Sequence, residues 1–278
     1  MNKRSSLLQR FVAAPYVVWS VLFIVIPLIM VIYYSFTNGD GDFTLSNIYT
    51  LLEPEYITLF LRSIAYAFIA TIICFILAFP LAYFIAQTSP RTQKTAMMLI
   101  MLPMWTNLVI RTFSLSNIIA DEGVINTILA PIGLQINIID SPYAVILGMV
   151  YNYLPFMALP IYTVISKLDK HVIEAAQDLG CNKRTVLSKV VLPLSKSGIV
   201  SGITMVFVPA ISTFYISAKL GGTDGRLIGQ EIESAFMSSA DKNFGSSISL
   251  VLMILIMISI AIMNKFSDDD EKGGGMIL

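Results

Sequence analysis

The chain has 278 residues, of which 56% are hydrophobic and only 13% charged, and its mean hydropathy is +0.76. A soluble domain carries about 25% charged residues, so a soluble globular fold is excluded. With 18 basic side chains against 18 acidic ones and a single histidine, bulk attraction to nucleic acid and a His-rich metal site are excluded too.

Crossing a bilayer takes about 20 mostly apolar residues. Stretches at about 11–36, 62–87, 95–119, 142–165, 197–218 and 246–264 reach or approach that length, which predicts an all-α integral membrane protein with six transmembrane helices. Lys3, Arg4 and Arg10 precede the first stretch like the charged end of a signal peptide. Its apolar run is too long for a signal core and no small-residue cleavage site closes it, so it reads as an uncleaved anchor. The turn-rich Asn38-Gly39-Asp40-Gly41-Asp42 sets that span apart from the next five. This divides the chain into an N-terminal segment with first span and outer loop (1–60), a transport domain (61–265) and an acidic, glycine-rich tail (266–278) expected to be disordered.

The third span is irregular: Pro103, Trp105, Thr106 and Asn107 interrupt it and Arg111 follows. Arg111 lies 17 residues after Lys94, about 25 Å along a straight helix at 1.5 Å per residue, near the outer interface. It reads either as a pathway or gate residue or as a structural arginine bonding to the carbonyls of a broken helix. The fourth span carries Tyr151, Asn152 and Pro155, and the fifth carries Pro209 followed by Tyr215. Broken helices are tolerated at membrane depth only where protein or a water-filled cavity satisfies the freed backbone groups. Spans three to five are therefore expected to line a pathway, with Trp105, Asn107, Arg111, Tyr151, Asn152 and Tyr215 as candidate lining residues.

Lys and Arg concentrate before the first span, between the second and third (Arg91, Lys94) and above all between the fourth and fifth (Lys167, Lys170, Lys183, Arg184, Lys189, Lys196). The positive-inside rule places these loops and both termini in the cytoplasm. Cys74 in a span and Cys181 in an inner loop then fall in different environments, which argues against a disulfide. The alternate loops carry eleven acids, including Asp121, Glu122, Glu231 and Glu233, against the four bases Arg62, Lys219, Arg226 and Lys242. That excess predicts an acidic outer mouth that concentrates cations. No metal-ligand cluster, nucleophile–base pair or phosphate-cradling glycine loop is evident, so no enzymatic activity, bound cofactor or metal is expected of this chain.

The fourth-to-fifth loop, Glu174 to Pro193, reads as a helix, a glycine break, a short second helix and a proline leading back into the bilayer. Asp169 is placed to cap it. Ile173, Ala176 and Leu179 form a small apolar stripe. Gly180 suits a left-handed position after the last turn, and Pro193 suits the start of the next helix. Glu174-Ala175-Ala176, three residues, Gly180, nine residues, then Val190, Leu192 and Pro193 resemble the EAA loop of importer-type ABC permeases, with Val190 where that pattern has isoleucine. LPMWTNLVIRTFSL, Leu154-Pro155-Phe156-Met157, Phe207-Val208-Pro209-Ala210 and Gly221-Gly222 are similar to the spermidine/putrescine branch of that family, and the N-terminal layout to the first of its two permease subunits.

The resemblance implies a type I importer (MetI-like) permease core with an additional N-terminal span, in a bacterial inner membrane among its lipids. It implies a homologous second permease subunit, two cytoplasmic ATPase subunits that bind ATP and Mg and dock on residues 174–193, and an extracytoplasmic polyamine-binding protein. Transport would proceed by alternating access. The thiamine, iron and phosphonate branches share parts of these motifs. A stand-alone secondary transporter is the alternative of another class, but it would need embedded ionisable residues and internal repeats.

Overall fold

The computed structural model describes residues 14–237 and 241–273. Lys3, Arg4, Arg10 and the 274–278 end of the tail lie outside the described residues. Among those described the chain is helical, with one isolated bridge, Thr37 to Phe43. The helices are α1 (Ala14–Ser35), α2 (Ser46–Thr50), α3 (Pro54–Ala86), α4 (Pro90–Met101), α5 (Leu108–Ile119), α6 (Val124–Leu129) and α7 (Pro142–Ile165). They continue with α8 (Lys170–Asp178), α9 (Lys183–Leu194), α10 (Lys196–Ile211), α11 (Tyr215–Leu220), α12 (Ile228–Met237) and α13 (Lys242–Gly273).

Among the described residues, four helices are long and apolar enough to cross a membrane alone: α1, α3, α7 and Lys242–Lys265 of α13. Two bent pairs, Pro90–Trp105 with Leu108–Ile132 and Lys183–Leu194 with Lys196–Ile211, bring the number to six if each counts as one span. The third predicted span is thus not a straight helix. A one-turn 3-10 segment, Leu102–Trp105, ends α4, and the chain turns by 95° before α5. The straight-helix distance from Lys94 to Arg111 fails for that reason. The fifth span stops at Ile211 and the Tyr215 segment is a separate helix. Helix α13 is drawn to Gly273, with neither glycine nor proline between Gly245 and that residue.

The helices fall into two compact units, one of residues up to Ile57 with Glu231–Leu255, the other of Thr58–Gln230 with the chain from Ile256. In the first, the end of α1 is satisfied by the start of α13. Asn243 Nδ2 donates to Thr37 O at 2.7 Å and to Asn38 O at 3.2 Å, and Ser247 Oγ donates to Ser35 O at 3.0 Å. The last carbonyls of any helix lack internal partners, and these bonds supply them.

The second unit is built on α7 packed along α10. Gly198 and Gly202, one turn apart on α10, let the backbones meet. A Cβ on Gly198 would lie 2.8 Å from Pro160 O, and one on Gly202 would lie 2.7 Å from Met157 Sδ. Small residues at such seams are the usual membrane solution, because lipid gives apolar side chains no reason to cluster. A buried small-residue face on α3, Ala67, Ala70, Cys74 and Ala78, follows the same rule, with Cys74 Sγ 3.9 Å from Val150 O of α7. Pro155 and Pro160 inside α7 and Pro209 inside α10 each leave a carbonyl without its donor.

Candidate coupling loop and buried polar cluster

Helix α8 is fixed at both ends by its own sequence. Asp169 caps it, its carboxylate accepting from His171 N at 3.0 Å. At the other end Gly180 adopts φ +86°. Gly180 N donates to Gln177 O at 2.8 Å and Cys181 N to Ala176 O at 3.1 Å, the paired bonds of a Schellman ending. Asn182 then caps the next helix, accepting from Thr185 N at 2.8 Å. Of the expected apolar stripe, Ile173 and Ala176 are half-buried, but Leu179 is 86% exposed because it is the C-cap residue, past the last full turn.

Glu174 and Ala175 are exposed, Val190 and Leu192 are half-buried, and Pro193 is exposed. The Glu174 carboxylate lies 3.3 Å from His171 Nδ1. Ile173, Glu174 and Gln177 form one wall of a groove of about 260 Å³, closed by Tyr83, Gln87 and Leu168. Val186 and Val191 anchor α9 and are fully buried. Pro193 does not open the next span as expected. It sits in the first turn of the short Leu192–Leu194 stretch that ends α9, where a missing N–H leaves no intrahelical bond unmade, just after a π-turn at Leu187–Val191 in which Leu192 N donates to Leu187 O. The chain then bends by 73° into α10. A π-turn at Val21–Val25 likewise precedes Pro27.

The candidate pathway residues separate into two sets. Trp105 is 73% exposed and Tyr151 is also exposed, while Tyr215 is half-buried at the start of α11. Exposed Asn107 acts as a helix cap, its side chain accepting from Val109 N at 2.7 Å at the start of α5. Arg111 and Asn152 are buried, at 8% and 0% exposed. Asn152 Nδ2 reaches Thr112 Oγ1 at 3.3 Å and Gly148 O at 2.9 Å, which joins α5 to α7. The Tyr153 hydroxyl donates to Pro209 O at 3.3 Å. Of the Arg111 guanidinium, Nε and Nη1 are buried without a hydrogen-bond partner among the described residues, as is Asn152 Oδ1. Thr112 and Ser116, also buried, complete the polar face of α5 and were not singled out by the sequence. Their spacing from Arg111 (i+1 and i+5) carries little signal without knowing which way α5 is rotated.

Asp121 and Glu122 are exposed in the turn after α5, and Glu233 is exposed and Glu231 half-buried on α12. The first pair belongs to one compact unit and the second pair to the other.

Among the described residues, apolar helices of spanning length, two broken spans and an exposed, doubly capped loop helix define an all-α membrane protein. Residues 78–270 match the family model described as binding-protein-dependent transport system inner membrane component. The chain is 37% identical over 269 residues, 94% of each chain, to the spermidine/putrescine transport system permease protein PotB of Salmonella typhimurium (strain SL1344). The fold is similar to that of a chain of a bacterial ABC transporter involved in the import of the acidic polysaccharide alginate, with TM-score 0.82 at 17% identity over 96% of each chain. It is also similar to the MetNI methionine ABC transporter, with TM-score 0.55 at 15% identity over 78% of this chain and 94% of the other. The chain belongs to the binding-protein-dependent transport system inner membrane component family, the permeases of ABC importers.

Proposed function

We propose that this chain is the permease subunit that carries spermidine and putrescine inward in an ATP-driven importer. Its partners are a homologous second permease subunit, two ATPase subunits that hold ATP and Mg, and a polyamine-binding protein outside. Both termini and residues 174–193 face the cytoplasm, in line with the basic residues clustered there. The observation that carries the coupling role is α8, a short helix locked by Asp169 and Gly180 that presents Glu174 outward beside a groove. Its rigidity lets ATPase closure pass through α9 and the 73° bend into α10 as a rigid-body movement. Such a movement shifts the access equilibrium only if ATPase contacts differ between the two states.

The polyamine assignment rests on the likeness to PotB along nearly the whole chain and on the outer acids Asp121, Glu122, Glu231 and Glu233. Exposed aromatics such as Trp105 and Tyr151 offer cation–π faces to ammonium groups. The complex reconstituted in vesicles, with ATP supplied on the ATPase side, tests the assignment. ATP-dependent accumulation of labelled spermidine, competed by putrescine, is expected. Uptake of thiamine or choline in its place would overturn the substrate.

A further inference from the structure

Helices α3, α10 and α13 leave a gap on the side of α10 away from its glycine seam. The gap is a groove of about 350 Å³, walled by Phe68 and Ile72 of α3, Ile203 and Phe207 of α10, and Ile262 and Met263 of α13. All of these residues belong to the second compact unit. Thr71 and Phe207 are buried at the floor of the groove, whereas Phe68, Ile72 and Ile262 are exposed at its rim. The lining carries no charged side chain, and its two hydroxyl residues have partners already. Thr71 Oγ1 donates to Ala67 O at 2.6 Å, and Ser259 also has a partner.

These walls select the occupant. A polyamine would shed the water around its ammonium groups with nothing to replace it. A helix with its side chains is about 10–12 Å across, too broad to enter a space of this volume. A single hydrocarbon chain is narrow enough and needs no hydrogen bond, and an unfilled groove forfeits the dispersion contacts of its lining. The level is right as well: Phe68 and Ile72 lie mid-way along the spanning helix α3. Since α10 and α13 are consecutive spans, the Lys265 end of α13 lies on the same side as the start of α10 and the coupling loop. Lys265 is exposed. It follows Ile262 by three residues and so shares its helix face, about 4.5 Å nearer that membrane surface at 1.5 Å per residue. A lysine at a helix end reaches the headgroup level in this way. We infer that the groove is a phospholipid site. One acyl chain from the leaflet on the coupling-loop side lies between α3, α10 and α13, and the phosphate of that lipid meets Lys265. The inference needs only the membrane-spanning fold and does not depend on the polyamine reading.

The test uses the whole complex in native membranes, with benzoylphenylalanine in place of Phe68 as a photoreactive probe. The same probe in place of Ile69 serves as the control, since Ile69 is exposed one residue further along α3 and is absent from the groove lining. After irradiation the chain is purified and its adducts are identified by mass spectrometry. The Phe68 probe should join a phospholipid. Lys265→Glu should lower that yield about fivefold, Ile203→Phe should lower it comparably by filling the groove, and Lys265→Arg should preserve it. Lipid adducts of the Ile69 probe should not respond to any of these changes. Each variant is compared at wild-type membrane level, and the surface substitutions at Lys265 keep the test decisive if Ile203→Phe fails to fold. Joining of the Phe68 probe to the second permease subunit or to α1 would overturn the inference, because protein would then cover the groove. Equal responses from the two probes would overturn it too, since the lipid would then be bulk solvent, as would a yield that Lys265→Glu leaves unchanged.

Discussion

Glu174 has little to do with holding the protein together. Its carboxylate is exposed, and its contact with His171 one turn earlier is worth at most about 0.5 kcal/mol, as for other exposed helix pairs. Glu174→Ala should leave thermal unfolding and membrane level unchanged while ATPase association weakens and uptake is lost. Normal uptake with full ATPase co-elution would remove Glu174 from the coupling role. Gly180 is the opposite case, a residue whose backbone matters more than its surface. At φ +86° an L side chain costs about 1–2 kcal/mol. Gly180→Pro is harsher, because it also deletes the 2.8 Å donation to Gln177 O and forces φ near −65°. Uptake should fall in the order wild type, Gly180→Ala, Gly180→Pro, with insertion intact in all three; equal uptake by all three would show that the turn does not aim α9.

At the scale of the elements, the seam between α7 and α10 controls whether the second unit closes. A Cβ at Gly198 meets a backbone carbonyl, Pro160 O at 2.8 Å, whereas one at Gly202 first meets Met157 Sδ, the mobile part of a flexible side chain, at 2.7 Å. Gly198→Ala should therefore lower the melting temperature of the detergent-solubilised chain more than Gly202→Ala does. Overpacking of this kind costs about 1–3 kcal/mol, and the reverse order would mean that the helices slide apart to accommodate either methyl. The capping of α8 belongs to the same scale and was legible in the sequence: Asp169 and Gly180 act on their own neighbours through bonds spanning a few residues. The 95° turn between α4 and α5 was not, because Pro103 and Asn107 mark a break without giving its angle.

For the whole molecule, orientation and surface charge are the properties to test. Cys74 is buried and Cys181 partly exposed, so an impermeant maleimide should label the chain in inside-out vesicles stripped of ATPase and not in right-side-out ones. Labelling from the outside would invert the topology and with it the coupling loop. Exposed Asp121 and Glu122 act through the field they set up, which is screened beyond about 8 Å at physiological ionic strength. Replacing both with Ala should slow uptake mildly, and mainly at low salt. A salt-independent, complete loss would mean that they contact ligand or the delivery protein directly.

The approximate positions of the apolar stretches, the clustering of Lys and Arg around the 174–193 loop, and the caps and left-handed glycine that hold that loop are legible in the chain alone. Each depends on hydropathy, charge or hydrogen bonds between residues close along the chain. Long-range packing is what makes Arg111 and Asn152 buried while Trp105 and Tyr151 are exposed, puts a 73° bend between Pro193 and α10, and brings Thr112 to Asn152. Helices that are apolar on every side carry no mark of the face they present, so their rotation is settled by where small residues such as Gly198 and Gly202 let neighbouring backbones come together.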